Sequence, residues 1–187
     1  FKGITSDYEA WIMSVIAQKS KKIFEFGTCS GKTTYLLSEN SPSDCEIYTI
    51  TLKKDQTENV SYVSGDNSIA KRNALDESVY EKFFFTDRKS EKKIKVIFQD
   101  SKKLDISNFK NKFDLIFIDG GHTYSCVKND TEKSFEMVKN NGLIFWHDYN
   151  PTKRSASDVV KYLDEISDKH NIFHIKRTHM CFLRYNK

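Results

Sequence analysis

Cysteine is scarce in this chain, and proline scarcer. Cys29, Cys45, Cys126 and Cys181 lie far apart with no C-x-x-C pair. That spacing excludes the common zinc patterns and a dense disulfide framework, and it suits a reducing compartment, so a cytoplasmic protein is expected. With only Pro42, Pro151 and seven glycines, and without repeats or biased tracts, collagen-like, low-complexity and solenoid architectures are excluded. No apolar run approaches the roughly 18 residues of a membrane span, and no signal peptide is visible, so no membrane partner is expected. The chain opens on Phe1 rather than methionine, and an upstream piece, trimmed or part of a larger protein, is expected. Excess charge of one sign is missing as well: the formal net charge is +4, with lysines interleaved among acids. The basic runs Lys19 to Lys22 and Arg88 to Lys95 lack an aromatic-basic stripe and read as solvated surface, which argues against nucleic acid.

What is present is a globular composition, 38% hydrophobic and 30% charged over 187 residues, enough for one domain with a real core. Short apolar runs alternate with amphipathic stretches, the pattern of β-α-β units and a mainly parallel sheet. A first helix is expected from about Asp7 to Ala17, capped by Ser6 or Asp7, with Trp11, Ile12, Val15 and Ile16 as its apolar face. Strands follow at Lys22 to Phe26 and Glu46 to Leu52, with a helix through Thr33 to Leu37 between them. Residues 53–93 are polar, with a helix from about Ser68 to Phe84. They read as a variable insertion acting as a lid, an oligomer contact or both within a single domain spanning 1–187. Three strand–helix steps come next: Lys95 to Gln99; Phe113 to Asp119 with a helix near Tyr124 to Lys139; and Gly142 to Asp148 with a helix near Ser157 to Ser167. Val127, Thr131, Phe135 and Val138 share one face of the first of these helices. Two last strands, Asn171 to Arg177 and Met180 to Tyr185, nearly abut, so a tight hairpin makes the final strand antiparallel to its neighbour.

Three motifs carry chemistry. Glu25-Phe-Gly27-Thr-Cys-Ser-Gly31 ends the first strand in a glycine turn that lets a ligand approach the backbone, with an acid able to hold an ammonium or hydroxyl. Its spacing is neither G-x-G-x-x-G nor a P-loop, since Gly27 and Gly31 are four apart, which disfavours phosphate cradling. Asp114-Leu-Ile-Phe-Ile-Asp119-Gly-Gly-His122 and Ile144-Phe-Trp-His147-Asp148-Tyr149 are buried strands ending in acids and imidazoles. Both ends belong where ligands bind in open α/β sheets. Asp119, His122, His147 and Asp148 therefore form a candidate general-base or metal-binding cluster. Trp146 is expected in the core, and Tyr124 and Tyr149 either at a substrate or packed.

From Lys22 onward, apart from 53–93, these motifs resemble the class I S-adenosylmethionine-dependent methyltransferases. The likeness is to the branch that includes macrolide sugar O-methyltransferases, and it implies a Rossmann-like, mostly parallel seven-stranded sheet closed by a C-terminal antiparallel hairpin. It also implies O-methylation of a sugar, glycan or other small hydroxyl acceptor in glycan or natural-product biosynthesis, often by a homo-oligomer. By the resemblance, Glu25, Gly27 and Gly31 line the methionine end of the cofactor and Asp100 and Ser101 the adenine. His122 would be the base, assisted by Asp119 and Asp148, and Asp119 would also face the cofactor. Asp119 and Asp148 match acids that bind a divalent metal in relatives. Here His147 stands where those relatives carry another acid, so a softer ion held with His147, or no metal, is implied. Thr51 occupies the place of the acid that holds the ribose, and Asp55 is a candidate substitute. Two rival readings remain: a catalytically degenerate module that keeps the fold for binding or assembly, and a nicotinamide-dependent oxidoreductase, which the glycine spacing disfavours.

Overall fold

The computed structural model describes residues 5–78 and 80–187. Its strands are β1 (Lys22–Phe26), β2 (Glu46–Thr51), β3 (Ile94–Phe98), β4 (Phe113–Ile118), β5 (Val138–Trp146), β6 (Phe173–His174) and β7 (Cys181–Arg184). They form one seven-stranded sheet in the order β3-β2-β1-β4-β5-β7-β6. The first five are parallel, while β7 runs antiparallel to both β5 and β6. This is the Rossmann-like arrangement with a terminal antiparallel hairpin that the sequence implied. The hairpin is looser than expected: β6 keeps only two residues, and the connection is a turn over 175–180 in which Ile175 N donates to Met180 O.

Helices cover both faces. α1 (Asp7–Ala17) and α2 (Lys32–Asn40) lie on one face, where Met13, Ala17 and Leu37 pack against Ile23, Ile47, Leu115 and Phe117. On the other, α4 (Tyr124–Met137) and α5 (Ser157–Ser167) bring Val127, Val159 and Leu163 onto Phe24, Phe26, Ile116 and Ile118. Central parallel strands are thus apolar on both sides, which is why they read as continuous hydrophobic runs. Trp146 is fully buried, its indole N–H donating to Thr131 Oγ1 at 2.8 Å. Among the described residues no helix is long and apolar enough to cross a membrane.

Two expectations need correction. α1 begins at a capping box between Ser6 and Glu9 as expected, but its buried stripe is Glu9, Met13 and Ala17. Trp11 is 61% exposed and stacks on Tyr8, and Val15 is 44% exposed. Ile12 and Ile16 of the expected face do pack against the core, but its centre is rotated away from Trp11 and Val15 because Glu9 turns inward to meet partners far along the chain. The helix expected to reach Phe84 is α3 (Ser68–Glu77), which stops seven residues short. Its N-cap Asn67 donates to Arg154 O and Ser157 Oγ, and Asn67 N donates to Asp158. Asp66 accepts from Ser125 N and Oγ. These bonds tie the segment ahead of α3 to the starts of α4 and α5, so it crosses the carboxyl ends of the strands.

Candidate active site

The crossover direction of the sheet reverses between β1 and β4, and a crevice opens at their carboxyl ends. After β1 the backbone turns at Gly27 with φ +96°, and an added Cβ would stand 2.0 Å from Asp119 O. The β1 and β4 termini therefore approach as closely as they do only because this residue is glycine. Gly31 serves packing instead, since its Cβ would meet the Phe85 ring at 2.8 Å. Glu25 is also set back from the crevice: 1% exposed, it accepts hydrogen bonds from Thr34 Oγ1 and, at 2.6 Å, from Thr49 Oγ1. Burial pushes its carboxyl up to about 8 against those two hydroxyl donors, with the charge of Asp119 adding to the rise. Glu25 thus braces the turn and does not line a cleft.

One cleft brings together Gly27, Thr51, Asp100, Ser101 and Asp119, five of the residues the resemblance assigned to the cofactor. Counting its open mouth, it holds about 640 Å³ of free space. Tyr62, Cys29 and Asp130 are also on its wall. Asp130 is 1% exposed and its carboxyl is pushed up to about 6, by burial above all, against hydrogen bonds from Ser101 and Asn129. Asp55 is not in this cleft; it sits on an exposed turn beside Lys53 and Phe98, so it does not replace Thr51. Tyr124 and Tyr149 also lie elsewhere, their hydroxyls donating to Glu165 and Asp164 of α5.

The second and third motifs converge. His122 Nε2 is 3.2 Å from Asp148 Oδ2 and 3.7 Å from Asp119 Oδ1. His147 Nδ1 is 3.0 Å from Asp148 Oδ2 and 3.3 Å from Asp119 Oδ1. Asp148 presents its carboxylate from a left-handed conformation, φ +60°, at the turn after β5. Burial opposes ionisation of Asp119 and Asp148, but the two imidazoles outweigh it and hold both carboxyls below the usual carboxylate range. Burial likewise opposes a charge on His122, and Asp119 and Asp148 overcome it, raising the imidazole above its usual value.

Two members of this cluster were missed by sequence reasoning. Glu9 of α1, 2% exposed, reaches His147 Nε2 at 3.5 Å and accepts from His179 N at 2.7 Å. Burial works against its charge, yet His147, His179 N and Ser6 pull its carboxyl down to about 2. Lys153 Nζ donates to Asp148 Oδ1 at 2.8 Å. An inward Glu inside an otherwise apolar stripe was the one local signal for the first; the second had none.

A second cleft lies against this cluster, walled by His122, Lys153, Ser30, Thr33 and Asn73. No Phe, Tyr or Trp side chain lines it among the described residues. It shares Gly27, Cys29, Glu77 and Asp119 with the first cleft, so the two meet at one wall. Glu77 arrives there from α3; burial raises its carboxyl pKa, His122 opposes the rise, and Asp119 and Asp148 add to it.

Comparison with known proteins places this geometry. A family model described as a methyltransferase domain matches residues 24–149, the stretch from β1 through the cluster. No curated protein matches the chain. Similar solved structures include a methyltransferase of Podospora anserina bound to S-adenosylhomocysteine, with TM-score 0.67 and 15% identity over 98% of this chain and 80% of that one. An O-methyltransferase of Bacillus cereus in complex with S-adenosylhomocysteine aligns at TM-score 0.60 and 14% identity, over 96% and 82%. An O-methyltransferase of Streptomyces achromogenes involved in tomaymycin synthesis, solved with S-adenosylmethionine, gives 0.60 and 14%, over 97% and 81%.

Proposed function

Since the chain belongs to the methyltransferase domain family, we propose that it is an S-adenosylmethionine-dependent O-methyltransferase acting on a sugar or similar polar hydroxyl compound. The observation that carries this reading is the pair of clefts meeting at Gly27, Cys29, Glu77 and Asp119, with His122 on the wall of the second. Solved structures of the same fold were obtained with S-adenosylmethionine or S-adenosylhomocysteine, which supports the cofactor class.

The residues of the first cleft fit such a cofactor. The bare backbone at Gly27 admits the amino-acid end, and Thr51, Asp100, Ser101 and Tyr62 offer polar and aromatic contacts for a nucleoside. When bound, the cofactor supplies an electrophilic methyl on a sulfonium. The chain must then align an acceptor oxygen with that methyl, which the shared wall does by making the clefts contiguous. A sugar hydroxyl is a weak nucleophile and needs a base in reach. Asp148 and Asp119 hold His122 by its Nε2 side, leaving Nδ1 to accept the proton in the neutral tautomer. Hydroxyl, amide, ammonium, carboxylate and imidazole groups wall the second cleft with no Phe, Tyr or Trp ring among them, which suits a polyol better than a phenol.

The test is a mass-spectrometric screen of free sugars, glycosides and phenols with the purified chain and S-adenosylmethionine. Methylation of a sugar hydroxyl is expected, and in His122→Ala it should fall by roughly 10²–10⁴ while affinity for S-adenosylhomocysteine holds. A phenol methylated in preference to every sugar would overturn the acceptor class. Full turnover in His122→Ala would remove the base.

A further inference from the structure

This inference rests on the methyl-transfer reading and concerns what neutralises the acids of the cluster. Donor atoms of Asp119, His122 and Asp148 lie within 4.8 Å of one another, a spacing that could hold a cation. A hard divalent ion in such a place needs carboxylate oxygens free to face it. These are already engaged by cations of the chain. The Lys153 ammonium is on Asp148 Oδ1 at 2.8 Å, and His147 Nδ1 covers Asp148 Oδ2 at 3.0 Å and Asp119 Oδ1 at 3.3 Å. Glu9 closes the far side of the same ring, 3.5 Å from Nε2. The His147 imidazole is thus set among three carboxylates, with Asp148 and Asp119 at Nδ1 and Glu9 at Nε2. Both of its ring nitrogens face acids of the chain, so His147 braces those carboxylates and turns no free nitrogen toward an ion. A divalent ion would have to strip Lys153 from Asp148 and break the contacts of His147 with Asp148 and Asp119. The residues present do not fit it.

We propose that the side chains of His147 and Lys153 stand in for a divalent ion, so that the chain binds no metal between Asp119 and Asp148. The two cations divide the task by exposure. Both line the second cleft, but the His147 side chain is 5% exposed and positions the acids, whereas that of Lys153 is 38% exposed. Lys153 is therefore the positive group open to an acceptor oxygen.

The deciding experiment is a Mn²⁺ titration of the full chain followed by electron paramagnetic resonance, with and without S-adenosylhomocysteine. No bound Mn²⁺ is expected for the wild type at millimolar ion. The double variant His147→Asp/Lys153→Met, which removes both cations and adds an acid, should bind Mn²⁺ roughly 10-fold or more tightly than the wild type. Glu9 keeps its bonds from Ser6 and His179 in that variant, and should it still fail to fold, Lys153→Met alone must show the gain. One Mn²⁺ bound by the wild type and lost in Asp119→Asn would overturn the proposal, as would folded variants that bind no better than the wild type. Failure of the wild type to bind S-adenosylhomocysteine would count against methyl transfer and leave the Mn²⁺ result standing.

Discussion

His122 can act as a base only when neutral, and its surroundings favour the charged form. Burial works against the proton, but Asp119, Asp148 and Glu77 more than offset it and raise the imidazole above the ordinary 6.5. Turnover should therefore rise with pH through an inflection above that value, and Asp119→Asn, by removing one of the stabilising charges, should move the inflection down. An inflection below 6.5 in the wild type would contradict this assignment. Glu25 gives an independent prediction in stability. Its folded carboxyl is raised to about 8 from 4.5, so its contribution is fully present below pH 4.5 and is lost as pH rises through 8. Glu25→Gln, which preserves an acceptor for Thr34 and Thr49, should flatten the fall of Tm across that window in thermal melts. Gly27→Ala should cost roughly 2–3 kcal/mol, measured by urea unfolding, because its φ is left-handed and an added Cβ would stand 2.0 Å from Asp119 O. At this scale the acids and imidazoles of β4 and β5 were legible because each follows a buried strand. Glu9 and Lys153 were not: their partners are set by how helices and turns pack on the sheet, and no local pattern records that.

Among the elements, α1 shows where periodicity misleads. Of the four apolar residues that suggested one face, Ile12 and Ile16 reach the core but Trp11 and Val15 do not, because the helix turns Glu9, Met13 and Ala17 inward and Glu9 finds His147 and His179 N there. Met13→Ala should destabilise the chain by roughly 2–4 kcal/mol. Trp11→Ala, at an exposed position, should change stability by no more than about 0.5 kcal/mol. Equal losses in chemical denaturation would refute the observed face. α3 teaches the complementary lesson. Its existence was legible from the Ser68 start, but its role was not, since only the bonds of Asp66 and Asn67 to the starts of α4 and α5 set Glu77 against the site. We propose that residues 53–93 are an insertion shaping the acceptor cleft, a use consistent with Asn73 and Glu77 on its wall.

Over the whole molecule, the parallel order was readable because central strands buried on both faces appear as unbroken apolar runs, and the antiparallel end because two such runs nearly touch in sequence. Less legible was that the crevice divides into two clefts with a common wall, which depends on the close approach of the Gly27 and Asp119 backbones and on α3. Binding of a small molecule between β1, β2 and β4 is thus the central claim. Calorimetric titration of the purified chain with S-adenosylhomocysteine, with NAD in a parallel cell, tests it most directly. One-site binding of S-adenosylhomocysteine at micromolar affinity and no binding of NAD is the predicted result. No heat from S-adenosylhomocysteine, or binding of NAD in its place, would contradict it.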